Sequence, residues 1–80
     1  PVLDRNIGLS SVIGDRSFGK NREQVAALAE AYLNGMTIEN MAAVGKHAPG
    51  HGAVSQDSHT ELPVDNRDFA EIWEHDLYPY

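Results

Sequence analysis

The chain has 80 residues, 41% of them hydrophobic, and a formal net charge of −6 at pH 7. This length allows at most one hydrophobic core, and the composition is not the low-hydrophobicity, high-charge kind that keeps a chain disordered. The six Lys and Arg are scattered, which argues against a general binder of phosphate backbones. The lack of Cys excludes a disulfide or a thiolate site. No apolar run approaches the roughly 20 residues of a membrane span.

The first half of the chain predicts a strand, a loop and a helix. Residues 1–4, PVLD, are typical of the end of a buried strand, and residues 5–20 form a polar loop with three glycines. A helix should begin near Asn21, a good N-cap residue, with Gln24 three positions on. Asn40 suits the left-handed position after its end. The predicted apolar stripe of this helix is Val25, Leu28, Ala29, Tyr32, Leu33 and Met36.

The second half predicts the same order again. Residues 41–45, MAAVG, are wholly apolar and indicate a strand buried on both faces. A loop rich in Gly and His follows at residues 46–59, called the histidine loop below. A second helix should start after Asp65, with Asp68 at its third position and Pro79 beyond its end. Its apolar stripe, of which we expect the two aromatic residues to lie in the core, is Phe69, Ile72, Trp73 and Leu77.

The order strand–loop–helix–strand–loop–helix is that of an α/β fold with a parallel sheet. Two strands cannot form a stable parallel sheet with both faces covered. We therefore expect residues 1–80 to be one part of a larger α/β domain. Both polar loops follow strands, and in a (β/α)8 barrel that is the catalytic face.

The triplet Asp57-Ser58-His59 is the first candidate for chemistry. In an extended segment, side chains two residues apart point the same way, so Asp57 could accept a hydrogen bond from one imidazole nitrogen of His59. That bond would fix the tautomer and stabilise the imidazolium of a general acid/base. A surface Asp-x-His without a function remains the alternative.

Two basic segments are candidates for ligand binding. Lys46 and His47 stand where the second predicted strand ends, and together they suit sugar hydroxyls or a carboxylate. A lysine beside a capping histidine is the alternative. Arg16 suits bidentate recognition of a ligand, or else an ion pair across the mouth of the fold.

The histidine-rich loop also allows a metal site. His47, His51, Asp57 and His59 are all accepted zinc ligands. Their spacing, however, matches no established zinc signature. A metal-binding or metal-dependent hydrolase domain therefore stays open as the second hypothesis.

Four segments together resemble the bacterial β-N-acetylhexosaminidases of glycoside hydrolase family 3. They are GLSSVIGDRSFG, GKHAPGHG, DSH and LPVDNRDFAEIWEHDLYPY, which agree with that family in order and spacing and span nearly the whole chain. The resemblance implies a TIM-type barrel that removes terminal β-linked N-acetylglucosamine with retention of configuration. It also implies muropeptides as substrates in cell-wall recycling, a cytoplasmic location, and neither a cofactor, a membrane nor a nucleic acid as partner.

The resemblance also assigns roles to residues. It implies that His59 is the acid/base, that Asp57 is its partner, and that Lys46, His47 and Arg16 contact the sugar, while His51 shapes the loop. The nucleophilic Asp of the family lies on a later strand, outside residues 1–80. This chain is then about a quarter to a third of a barrel, inactive alone and dependent on the rest for folding. Two departures, Ala48 in place of Phe and Asn40 in place of Gly, remove no catalytic group.

Overall fold

The computed structural model describes every residue, Pro1–Tyr80. Its elements are a short 3₁₀ turn, Gly14–Arg16, helix α1, Arg22–Ile38, and helix α2, Phe69–His75. Strand pairing is limited to one parallel bridge between Val2 and Lys46. Neither helix has the length and apolar character that crossing a membrane requires.

Helix α1 follows the sequence prediction closely. The side chain of Asn21 accepts a hydrogen bond of 2.8 Å from the backbone N–H of Gln24, which caps the first turn as expected. Asn40 lies just past the end with φ 55°, the predicted left-handed conformation. Only Val25 and Ala29 of the predicted stripe are buried, and they form the core cluster with Leu3.

The bridge lies at Val2, within the first predicted strand, and at Lys46, directly after the second. The backbone N–H of Leu3 donates to the carbonyl of Lys46 (2.6 Å), and the N–H of Lys46 donates to the carbonyl of Pro1 (3.0 Å). Both segments run in the same direction, so the loops that follow them start at the same end of the molecule.

Neither predicted strand forms beyond this single bridge, and the expected burial of 41–45 on both faces is wrong. Val44 is 78% exposed and Met41 58% exposed. The reason is that this segment has one neighbouring segment and no helix over it, whereas burial on both faces requires covering layers. Gly45 packs tightly against the side chain of Leu3, since a Cβ on Gly45 would lie 2.8 Å from Cδ1 of Leu3.

Helix α2 is shorter and starts later than predicted. It begins at Phe69, with Asp68 as its N-cap, and ends at His75, four residues before Pro79. The expectation that Phe69 and Trp73 lie in the core is wrong for residues 1–80, because they are 68% and 64% exposed. They pack on each other, with ring centroids 6.0 Å apart, and no other element covers them.

Candidate active site

His59 and Asp57 form the hydrogen-bonded pair that the triplet predicted. Nδ1 of His59 lies 2.6 Å from Oδ1 of Asp57. The imidazole is 78% exposed and the carboxylate 43% exposed, so the pair faces solvent. Because Asp57 engages Nδ1, the other nitrogen, Nε2, is the one available for proton exchange with a ligand.

A turn, and not the expected extended segment, brings the two side chains together. The backbone N–H of His59 donates to Oδ1 of Asp57 (2.9 Å), and the carbonyl of Asp57 accepts from Thr60 and Glu61. An Asp side chain that bonds the N–H two residues on is a recurrent turn device. The hydrogen bond from the His59 N–H, followed by that from its ring, holds the pKa of Asp57 below its ordinary value.

Lys46 and His47 stand at the end of the bridged segment, as predicted. Lys46 is exposed, and the peptide bond between the two residues is cis. The ring of His47 forms a hydrogen bond with the carboxylate of Asp4, with Nδ1 2.7 Å from Oδ2. His47 lines a concavity of about 250 Å³ on the histidine loop, which His51 and Asp65 also line.

Asp4 is a site residue that the sequence reasoning missed. Its side chain is 1% exposed and accepts three hydrogen bonds, from the backbone N–H and Nδ1 of His47 and from the backbone N–H of His51. The signal that could have found it is its position. An Asp that directly ends an apolar strand, opposite a second strand that ends in Lys-His, lies at the edge where ligand contacts collect in α/β folds.

Arg16 does not make the ion pair that was considered for it, and its contact with a ligand stays a prediction. Its Nε and Nη2 both donate to the carbonyl of Val12, at 2.9 and 2.6 Å, within the first loop. The residue is exposed and lines a concavity of about 400 Å³ together with Lys46. The structure thus brings Arg16 and Lys46 to one cavity and His47 to another, while the His59–Asp57 pair lines neither.

His51 lies inside the loop. It is 8% exposed, its backbone N–H is 2.6 Å from Oδ1 of Asp4, and both of its ring nitrogens lack a hydrogen-bond partner within the chain. The glycines beside it allow the loop to pack closely, since a Cβ on Gly52 would collide with the carbonyl of Arg5. The loop-shaping role expected for His51 stays a prediction.

A second buried carboxylate, Asp76, lies beneath the same loop. Its Oδ2 accepts from Nη1 of Arg67 (2.7 Å) and from Nη2 of Arg5 (3.5 Å). Arg67 also pairs with Asp65. Its Nε donates to both carboxylate oxygens (3.0 and 3.2 Å) and its Nη2 donates to Oδ2 (2.7 Å), and this pairing holds the pKa of Asp65 below its ordinary value. The histidine loop is therefore bonded to buried Asp4 through His47 and His51, and it packs on buried Asp76 at Gly50.

The four residues of the metal hypothesis do not come together. His47 pairs with Asp4 and His59 pairs with Asp57, in two separate contacts. His51 packs edge-on to the His47 ring, with centroids 5.9 Å apart. No group of three or more His, Cys, Asp or Glu in the chain is arranged to hold a metal ion. The cluster His47, His51, Asp57 and His59 is thus absent from the structure.

Comparison with known sequences gives matches along the whole chain. The family described as "Glycosyl hydrolase family 3 N terminal domain" matches residues 1–80. A beta-hexosaminidase of Aromatoleum aromaticum is 51% identical over 80 residues, which are all of this chain and 22% of that protein. A beta-hexosaminidase of Methylococcus capsulatus is 52% identical over the same length, 24% of that protein. The chain therefore spans about a quarter of the length of these relatives.

A solved structure with the same backbone is NagZ of Neisseria gonorrhoeae. The TM-score is 0.93 at 49% sequence identity, and the match covers 99% of this chain and 23% of that one. That protein has also been solved in complex with N-trifluoroacetyl-D-glucosamine and in complex with a zinc ion.

Proposed function

Because the chain belongs to glycosyl hydrolase family 3, we propose that the protein carrying it is a retaining exo-glycosidase that removes terminal β-linked N-acetylglucosamine. The observation that carries this proposal is the pairing of His59 with Asp57, Nδ1 to Oδ1 at 2.6 Å, with the rest of the imidazole open to solvent. The beta-hexosaminidase relatives and the N-trifluoroacetyl-D-glucosamine complex of one neighbour support the choice of sugar.

His59 carries the proton in both halves of the proposed reaction. In the first half, a carboxylate from outside residues 1–80 attacks the anomeric carbon while Nε2 of the His59 imidazolium gives its proton to the leaving glycosidic oxygen. In the second half, neutral His59 takes a proton from the water that hydrolyses the glycosyl–enzyme bond. Asp57 stabilises the imidazolium and keeps Nδ1 protonated throughout.

The sugar-binding residues of the proposal are Lys46, His47 and Arg16. Lys46 and Arg16 share a cavity of about 400 Å³ and supply positively charged donors. His47 supplies a directional ring nitrogen, since its Nδ1 is already held by Asp4. A ligand that engages all three residues has to bridge two concavities, and the exposed His59 loop has to move toward it.

The proposal also covers the rest of the barrel and the natural substrates. We place residues 1–80 inside a (β/α)8 barrel, in which a later strand supplies the nucleophile and the rest of the barrel covers the exposed faces of 41–45 and α2. We propose N-acetylglucosaminyl-anhydro-muropeptides as natural substrates, in peptidoglycan recycling in the cytoplasm. The support is the resemblance of the GKHAPGHG and DSH segments to enzymes of that kind, together with the beta-hexosaminidase relatives.

We propose no metal-dependent step. The residues present do not fit a metal centre, because the histidines engage Asp4 and Asp57 in two separate pairs. The zinc ion of the neighbouring NagZ structure is a property of that protein.

The test is release of an aryl alcohol from an aryl β-N-acetylglucosaminide by the full-length protein. We expect activity that EDTA leaves unchanged and that His59→Ala lowers by about 10²–10⁴-fold, the usual contribution of a general acid/base. His75→Ala is the matched control, since His75 lies on α2 and makes no side-chain hydrogen bond.

Two results would contradict the proposal. No release by the wild-type protein would remove the glycosidase assignment. If EDTA abolished the release of aryl alcohol and zinc restored it, the histidine loop would be a metal site, as the second hypothesis states.

A further inference from the structure

The buried carboxylate of Asp4 faces hydrogen-bond donors only. Oδ1 receives the backbone N–H of His51 (2.6 Å), and Oδ2 receives both the backbone N–H (3.2 Å) and Nδ1 (2.7 Å) of His47. An ionised carboxylate is purely an acceptor, so Nδ1 of His47 has to carry a proton in this contact.

The protonation of Nδ1 decides what the other ring nitrogen can do. In a neutral imidazole one nitrogen donates and the other accepts, so Nε2 of His47 is left as an acceptor. Nε2 has no hydrogen-bond partner within the chain, and 37% of the side chain is exposed. Lys46, next in sequence and also exposed, can only donate.

We propose that Asp4 is a positioning residue that fixes His47 in the Nδ1–H tautomer, so that Nε2 accepts a hydrogen bond from a ligand hydroxyl while Lys46 donates one. A hydroxyl group can donate to this acceptor nitrogen, whereas a carboxylate only accepts, so Nε2 of His47 favours hydroxyl-bearing ligands over carboxylates. The identity of the hydroxyl as that of a sugar rests on the proposed function, whereas the tautomer does not.

Asp4 also stabilises the loop structure, and the test has to separate this contribution from the effect of Asp4 on the His47 tautomer. Its backbone carbonyl accepts from the hydroxyl of Ser17 (2.6 Å), and its carboxylate holds two loop N–H groups. Asp4→Ala would leave those donors unpaired and could unfold the loop. Asp4→Asn keeps the shape and one acceptor oxygen.

In Asp4→Asn, the hydrogen bond between residue 4 and Nδ1 of His47 changes direction. Its oxygen is best placed at the Oδ1 position, because the His51 N–H contact there is the shorter backbone bond (2.6 Å against 3.2 Å for His47). The NH₂ group then faces Nδ1 of His47, which has to accept, and it leaves the backbone N–H of His47 without its acceptor. We expect His47 to change to the Nε2–H tautomer, with its acceptor lost toward the ligand.

The experiment reads the tautomer directly. Full-length protein with ¹⁵N-labelled histidine is examined by long-range ¹H–¹⁵N correlation NMR at pH 8, and His47→Ala assigns the signal. We expect the Nδ1–H form in the wild type and the Nε2–H form in Asp4→Asn. A wild-type His47 in the Nε2–H form, or an unchanged tautomer in Asp4→Asn, would overturn the proposal. If Asp4→Asn does not fold, the wild-type spectrum decides.

Kinetics test the consequence for binding. With an aryl β-N-acetylglucosaminide, we expect Asp4→Asn to raise KM about tenfold and to change kcat less than about threefold, since His47 binds and His59 does the chemistry. In the His47→Ala background the same change should add little, because both act through one ring. An additive effect would assign Asp4 to loop structure alone. An inactive wild type would contradict the proposed function, while the NMR result would still decide the tautomer.

Discussion

Gly50 lies directly against the buried side chain of Asp76. A Cβ on Gly50 would be 2.7 Å from Cβ of Asp76 and 3.2 Å from its Cγ and Oδ1. Asp76 cannot easily move aside, since its side chain is 1% exposed and its carboxylate is held by Arg67. Gly50 also has φ 146°, a conformation that side-chain-bearing residues rarely adopt.

Gly50→Ala should therefore destabilise the protein. We expect a loss of about 2 kcal/mol or more, from backbone strain and from the contact with Asp76. In a domain of the family's size this lowers Tm by about 4 °C or more, measured by thermal unfolding of the full-length protein. Gly35→Ala is the control, because nothing lies within 4 Å of that position in α1. It should stabilise by up to about 1 kcal/mol, and an equal fall in both variants would contradict the explanation.

Arg67→Ala should also destabilise the protein, because it leaves the buried carboxylate of Asp76 without its main ion-pair partner. Asp76 would keep only the 3.5 Å contact to Arg5. Removing one partner of a buried ion pair costs about 3–5 kcal/mol. Thermal unfolding at neutral pH measures the loss. As a control, Glu23→Gln removes the exposed Arg22–Glu23 pair and should cost less than about 1 kcal/mol.

The pH dependence of the Arg67→Ala effect follows from Asp65. Its folded-state pKa is lowered by Arg67, so the pair contributes stability above the ordinary carboxyl pKa and loses it as the pH falls through the lower folded value. The difference between wild type and Arg67→Ala should thus shrink below about pH 4. A difference that stays constant down to pH 2 would place the effect in packing alone.

The sequence predicted local structure well where the signal itself is local. Asn21 and Asn40 mark the two ends of α1 because a cap and a left-handed residue act through the nearest turn. The Asp57–His59 contact has the same origin, although a turn forms it where an extended segment was expected.

The burial of the strands and of α2 was not predictable in this way. Whether Val44 and Trp73 are covered depends on elements that pack over them, and residues 1–80 contain none. Asp4 was missed for a related reason. Its partners, His47 and His51, lie 43 and 47 residues away in sequence, and only the parallel bridge at Val2 and Lys46 brings them together.

Asp57→Asn tests the partner of the proposed acid/base. The substitution keeps the turn, because the amide oxygen can still accept the His59 N–H, but it removes the negative charge that stabilises an imidazolium. We expect kcat/KM for an aryl β-N-acetylglucosaminide to fall by about 10²–10⁴-fold. Asp68→Asn is the control, since the Asp68 side chain makes no capping bond.

The pH profile of the same reaction separates the two groups of the pair. The His59 hydrogen bonds hold the pKa of Asp57 below its ordinary value, so this carboxylate titrates well below the range of a histidine. The limb on which kcat/KM falls as the pH rises then belongs to the proposed general acid losing its proton, and not to Asp57. A limb that persists unchanged in Asp57→Asn would show that the carboxylate does not act on that histidine.

Residues 1–80 alone should neither fold cooperatively nor hydrolyse glycosides. The hydrophobic side chains that the chain buries are few, and only Ile13 and Val25 are fully enclosed. So small a core cannot offset the conformational entropy of ordering the chain. Large apolar residues remain exposed, as Val44, Leu62, Phe69 and Trp73 illustrate.

The measurement is near-UV circular dichroism of the isolated peptide during heating, with the full-length protein beside it. We expect no sigmoidal transition and no release of aryl alcohol from the peptide, because the proposed nucleophile is outside it. A cooperative transition would show that the Asp4 and Asp76 networks suffice to hold these residues together. Slow, stoichiometric release of sugar by the peptide, abolished by His59→Ala, would show that residues 1–80 contain their own nucleophile.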